Sequence, residues 1–289
     1  REAFAGAVLR AGDILATEGN TYLVDFSSFL STDRHGVADT LTRTRQGNYV
    51  VDEKRSAVLS QQAKNFPDNT ELEALLTFAG TGDGPFVRQV AADPKSLRVH
   101  QHVSLIRLPD GYKPRTYHPG SGGLDSEQMD FATPLADSIN VQWQVRHRLE
   151  KTDPNAAVST VKKPIIYYLD RGAPEPVRTA LLEGARWWTS AFEKAGFKDA
   201  YRVELLPEGV DPMDIRYNTI MWVHRATRGW SYGNAVTDPR TGEIIKGAVT
   251  LGSQRVRQDI LIAESLLAPY GKSSSAEKKN AAEQMALAR

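Results

Sequence analysis

The sequence predicts an α+β protein: a β-rich first part, then a second part in which strands and helices alternate around a mixed, twisted sheet. Three observations carry that reading. Up to about residue 150 the apolar residues alternate or cluster in short β-branched and aromatic runs. Residues 164–169 form a near-continuous apolar run, the pattern of a strand buried on both faces, and a stripe with helical spacing follows. Asp238-Pro-Arg-Thr-Gly242 then separates two alternating runs, with Pro and Gly where a hairpin loop needs them.

In the first part the predicted strands are 22–26, 49–51, 72–78, 98–108 and 139–149, with helices at 2–16 and 52–64. Turn-forming stretches at 80–85, 109–114 and 118–123 separate them. Residues 151–161, with Asp153-Pro154-Asn155 and a small-residue run, read as a connector. The domains are therefore a β-rich domain over 1–150 and a second domain over 151–289. Charge supports the division: 1–150 carries 16 basic and 19 acidic groups, and 151–289 carries 20 and 16.

In the second part Pro174 and Pro176 suit a helix entrance. Leu181, Ala185, Trp188, Phe192 and Ala195 then make one apolar face of a single helix, closed by Gly196. Tyr201, Val203 and Leu205 alternate with Arg202 and Glu204 as a half-buried strand, and 219–223 is a buried strand. In the second hairpin arm Ile245, Val249 and Leu251 point one way, Lys246 and Thr250 the other. A helix over 256–267 is stopped by Pro269. A further helix over 276–289 has no stop signal, and the chain opens on Arg1 without an initiator Met, so the sequence reads as an internal piece of a longer protein.

Composition narrows the chemistry. With 36 basic and 35 acidic residues the net charge is +1, which lacks the positive excess of a protein that neutralises nucleic-acid phosphates. No apolar run approaches the ~18 residues of a membrane-spanning helix. Cysteine is absent, which excludes disulfides, thiolate–zinc sites, iron–sulfur clusters and thiol nucleophiles.

The six histidines, His35, His100, His102, His118, His147 and His224, include no His-Glu-x-x-His. His100 and His102 share one strand face and could seed a metal site. Without a carboxylate pair nearby, a solvated strand face is the preferred reading. The glycine-rich stretches at 80–85 and 118–123 do not lie between a strand and a helix as phosphate-cradling loops do, and read as ordinary loops. Trp188 and Trp222 read as core and Trp230 as exposed. Arg225, Arg228, Arg240, Arg255 and Arg257 read as partners of Asp238, Glu243 and Asp259.

Several longer motifs resemble one family. They are Ile165-Ile-Tyr-Tyr-Leu-Asp170, Glu183-Gly-Ala-Arg-Trp-Trp188, Ala191-Phe-Glu-Lys-Ala-Gly-Phe197 and Arg216-Tyr-Asn-Thr-Ile-Met-Trp-Val-His224. Arg228-Gly-Trp-Ser-Tyr-Gly233, Asp238-Pro-Arg-Thr-Gly-Glu-Ile-Ile-Lys246 and Leu251-Gly-Ser-Gln-Arg-Val-Arg-Gln-Asp259 continue the set. Together they resemble the large bacterial zinc-dependent metalloproteases with a metzincin-like catalytic domain. In that family an N-terminal domain of unknown function precedes the catalytic domain, and residues 1–150 look like part of it through Asn65-Phe-Pro-Asp-Asn-Thr-Glu71.

The resemblance implies the upper half of a metzincin-like domain, truncated before the zinc helix. In such proteins His-Glu-x-x-His and a third His follow the region matching 283–289, so no catalytic residue and no metal ligand carries over onto this chain. Zinc is then expected in the intact protein and not in this piece. What carries over is an edge strand that pairs with an extended peptide substrate, here Tyr232, Gly233, Asn234, Ala235 and Val236, with Asn234 and Val236 alternating with Ala235 between cleft and core. The implied activity is peptide hydrolysis by a zinc-activated water, and the implied location is periplasmic or extracellular. The alternative from another class is a non-catalytic binding or scaffolding protein that keeps the fold. A carbohydrate-binding module in 1–150, using Tyr112 and Tyr117, is a weaker third reading.

Overall fold

The computed structural model describes residues 13–225 and 230–267. The fold is α+β, and the chain divides into two compact units, Arg1–Arg107 and Leu108–Arg289.

The first unit is organised by one long strand. In order it contains β1 (Ile14–Glu18), β2 (Thr21–Val24), α1 (Ser27–Leu30), α2 (Val37–Arg43), β3 (Tyr49–Val51), β4 (Ala57–Val58) and β5 (Lys64–Asn65). Then come β6 (Asn69–Gly80), α3 (Pro85–Val90) and β7 (Ser96–Ile106). β6 pairs antiparallel with β7 along its whole length and, on its other edge, with β3, β4 and β5 in turn. Period two decides its faces. Ala74, Leu76 and Phe78 are buried and pack with Phe29, Leu30 and Tyr49, whereas Glu71 and Glu73 lie on the opposite face beside His100, His102 and Ser104 of β7.

The expected helix over 52–64 does not form. Asp52 caps a single 3₁₀ turn, Glu53–Arg55, by accepting from the Arg55 N–H, and a second 3₁₀ turn, Ser60–Gln62, lies between β4 and β5. Pairing with β6 competes for this segment and wins. Of the helix expected over 2–16, residues 1–12 lie outside the described residues, and Ile14–Ala16 belong to β1.

The second unit contains β8 (Asp125–Met129), β9 (Asn140–Gln144), β10 (Ser159–Thr160), β11 (Ile165–Leu169), α4 (Val177–Arg186), α5 (Thr189–Lys194), β12 (Phe197–Lys198) and β13 (Tyr201–Leu205). These are followed by β14 (Asn218–Val223), β15 (Tyr232–Thr237), β16 (Ile244–Gly252) and α6 (Gln254–Leu267). Its main sheet has the order β13-β11-β14-β16-β15, parallel throughout except for β15. Leu169, Val203 and Ile220 form the buried centre, covered by Leu181, Leu182 and Ala185 of α4. β11 is buried at Ile165 and Leu169 and half-buried between them, so it is less enclosed than its apolar run predicts.

The single helix expected over 181–195 is split. At Trp187–Trp188 the bonds shorten to i→i−3, from Trp187 to Gly184 and from Ser190 to Trp187. Both indoles are about two-thirds exposed (66% and 65%), so Trp188 is not core. Trp222 is half-buried, its Nε1 enclosed without a partner, and Trp230 is exposed. Gly196 ends the helical run at φ +82°, a left-handed conformation that a side chain would strain. Lys246, on the strand face opposite Ile245, is buried and donates through Nζ to the carbonyls of Pro212 and Asp214. The helix expected over 276–289 lies outside the described residues.

Candidate functional site

β15 is the outermost strand of the main sheet, and among the described residues it pairs only with β16. An antiparallel strand at a sheet edge turns alternate N–H and C=O groups away from its one neighbour, which is where a further strand can pair.

Both ends of the strand are held. Beyond its C-terminal end, Asp238 is fully buried and accepts from Arg240 at the backbone N–H (2.8 Å), Nε (3.1 Å) and Nη2 (2.8 Å). The Asp238 carbonyl accepts from Thr241 and Gly242, closing the loop, and Gly242 sits at φ +73° as the turn requires. The Arg240 guanidinium beside Asp238 holds that carboxyl below the usual carboxylate range. At the N-terminal end, Arg225 donates to the Trp230 carbonyl (2.9 Å) and to the Tyr232 hydroxyl (3.3 Å), and the Ser231 hydroxyl accepts from the Gly252 N–H. Arg240–Asp238 and Arg255–Asp259 are ion pairs, as the charge pattern suggested. Arg228 lies outside the described residues.

Tyr232, Gly233, Asn234 and Ala235 are all exposed and Val236 is half-buried. Ala235 therefore does not turn into a core, because nothing among the described residues covers the second face of this strand end. A Cβ at Gly233 would meet nothing within 4 Å. Gly229, the other glycine flanking this turn, lies outside the described residues.

A second feature lies between α4–α5 and the sheet. An open cavity of about 430 Å³ is lined by His147, Tyr167, Trp188, Phe192, Tyr201 and Val249 among others. Burial holds His147 down to about 4, so its imidazole is neutral near neutral pH, and burial pushes the Tyr201 hydroxyl up to about 12. The two rings flank Tyr167 at 6.2 and 6.0 Å.

The third feature is on β6 and β7, where one premise of the sequence reading fails. His100 and His102 do have a carboxylate pair beside them, supplied by Glu71 and Glu73 of β6. Glu71 is 4% exposed and also accepts from Asn69 and the Ser104 hydroxyl. The alternation Glu71-Leu72-Glu73 was visible in the sequence, but only the β6–β7 register sets those carboxylates against the imidazoles. The glycine-rich stretch after β6 also differs from expectation, because it does run from a strand into a helix. Gln46 Oε1 already accepts from the Phe86 and Val87 N–H groups at the start of α3, and the helix is six residues long, so it offers no phosphate cradle.

A family model for a domain of unknown function, DUF5117, matches residues 1–152, just over half of the chain. The chain belongs to the DUF5117 family. No curated protein matches it. The DUF5117 match takes in the first unit, with its His–Glu face, and continues into the second unit past β8 and β9. The edge strand β15 lies beyond it. Among the described residues no helix is long and apolar enough to cross a membrane.

Proposed function

We propose that this chain is part of a periplasmic or extracellular zinc-dependent metallopeptidase in which β15 holds an extended peptide substrate. The observation that supports this reading is the position of β15. It is the antiparallel outer strand of an otherwise parallel sheet, exposed from Tyr232 to Ala235, within the run of motifs that resembles metzincin-like proteases. Such a strand recognises a peptide through its main chain, which gives affinity without demanding one side-chain sequence.

The chemistry that zinc supplies in such enzymes is polarisation of the scissile carbonyl together with activation of a bound water. The ligands for that zinc and the catalytic glutamate are assigned to polypeptide after residue 289 and to no residue of this chain. The role of this chain is to bind and orient: Arg225 steadies Tyr232 at one end of the strand, and Asp238 with Arg240 fixes the loop at the other. Reading the parent coding sequence beyond Arg289 tests the proposal. A His-Glu-x-x-His segment with a further downstream His is expected, and its absence would leave β15 as a binding edge with no hydrolytic centre.

A further inference from the structure

We propose that the polar face of the β6–β7 ribbon is a divalent-metal site that takes zinc, with His100, His102 and Glu73 as ligands and Glu71 as the group that orients His102. It lies within the DUF5117 match and is independent of the peptidase reading.

The argument starts from strand geometry. Residues two apart on one strand share a face, so His100, His102 and Ser104 stand in a row, with Glu73 directly opposite His102 and Glu71 opposite Ser104. One carboxylate addresses both imidazoles. Glu73 Oε1 is 3.3 Å from His102 Nδ1, and Glu73 Oε2 is 3.6 Å from His100 Nδ1. The second distance is too long for a hydrogen bond. The first is close to the roughly 3.3 Å that separates neighbouring donor atoms around a tetrahedral zinc with bonds of about 2.0–2.1 Å; the second is measured to the other carboxylate oxygen, so His100 has to turn to reach a metal held by Oε1.

The surroundings are those of a metal-binding histidine. A ligating imidazole commonly gives its other ring N–H to a carboxylate, which fixes the ring's orientation. Here His102 Nε2 meets Glu71 Oε2, and Glu71 is itself held by Asn69 and Ser104. The ring is thus clamped with Nδ1 turned toward Glu73. As the side chains stand, no three ligands among the described residues are gathered around one point. The His102–Glu73 pair is in place, and His100, with 61% of its side chain exposed, is free to turn onto a metal bound there. Two imidazoles and one carboxylate suit zinc or a similar transition ion better than calcium or magnesium, which prefer all-oxygen sites. The site leaves one position open to water.

The test is calorimetric titration of the whole chain with zinc chloride, repeated with cobalt(II) while visible absorption reports tetrahedral coordination. One zinc per chain is expected. His100→Ala, His102→Ala and Glu73→Gln should each weaken binding at least tenfold, and the exposed His100 can be removed without disturbing the fold. Glu71→Gln should keep one zinc per chain and weaken it about 10- to 100-fold. His118→Ala, outside the cluster, should bind as the parent does. No zinc binding by the parent chain would overturn the proposal, as would undiminished binding by folded His100→Ala and His102→Ala variants.

Discussion

Gly247 lies directly against the phenol of Tyr167: a Cβ built at Gly247 would fall 2.0 Å from the hydroxyl oxygen and 2.7 Å from Cζ. The contact spans three strands. Asn218 of β14 accepts from the Gly247 N–H through Oδ1 and donates through Nδ2 to the Ile166 carbonyl, tying β16 to β11. Gly247→Ala should therefore force the Tyr167 ring out of place and cost roughly 1–3 kcal/mol. Gly233→Ala, where the new methyl meets open space, should change stability by less than about 0.5 kcal/mol. Urea unfolding midpoints of the two variants test the contrast, and similar losses from both would refute it.

His147, beside the same tyrosine, should make the second unit acid-sensitive. Burial holds its folded-state value at about 4, against about 6.5 for a free imidazole. Between those two values the unfolded chain binds more protons than the folded one, so stability rises with pH and is lost as pH falls from 6.5 toward 4. The full loss is roughly 3 kcal/mol by linkage. Denaturation of His147→Phe at pH 7 and pH 5 should show a smaller drop than the parent. An equal drop in the variant would assign the acid sensitivity elsewhere.

Asp238 is fully buried under the side chain of Arg240, and the pair shapes the loop between β15 and β16. Asp238→Asn removes the charge while keeping the shape, and leaves the guanidinium facing a neutral amide. A loss of about 1–3 kcal/mol is expected, because a buried carboxylate loses its charged hydrogen bonds to a guanidinium that is itself half exposed. Asp52→Asn, at the more open Asp52–Arg55 pair, should cost clearly less. Thermal unfolding of both variants provides the comparison, and a smaller loss at Asp238 than at Asp52 would contradict the reading of the loop.

Sequence patterning showed the second unit better than the first. The strands at β11, β13, β14 and β16 follow runs whose apolar period is plain, and Pro239 with Gly242 marks the hairpin between β15 and β16. Local signals there agree with tertiary pairing. Between residues 52 and 64 they do not, because short strands form on β6 only once that long strand exists to template them. The same limit hid the His–Glu face: Glu71, Glu73, His100 and His102 are each visible in the sequence, yet their meeting depends on a register set by residues some thirty positions apart. The Trp187–Trp188 pair misled for another reason. Helical spacing marks Trp188 as core, but the helix tightens there into a 3₁₀ turn, which shifts the spacing and leaves the indole lining an open cavity. At β15 the edge position is a property of sheet order, and only the family resemblance pointed to it before the fold was known.

The central claim is that the edge of β15 holds substrate through its main chain. The most direct measurement is peptide turnover by the parent polypeptide carrying Val236→Pro, compared with Thr241→Pro in the adjoining loop and Asn234→Ala on the strand. Proline on the strand removes a backbone donor from the edge strand itself, whereas proline at Thr241 removes the N–H that closes the loop onto the Asp238 carbonyl, away from the edge. The account predicts a strong loss of turnover for folded Val236→Pro, a small change for Asn234→Ala, and a clearly smaller loss for Thr241→Pro. Unchanged turnover in Val236→Pro, or equal losses from the two prolines, would show that this strand does not hold the substrate.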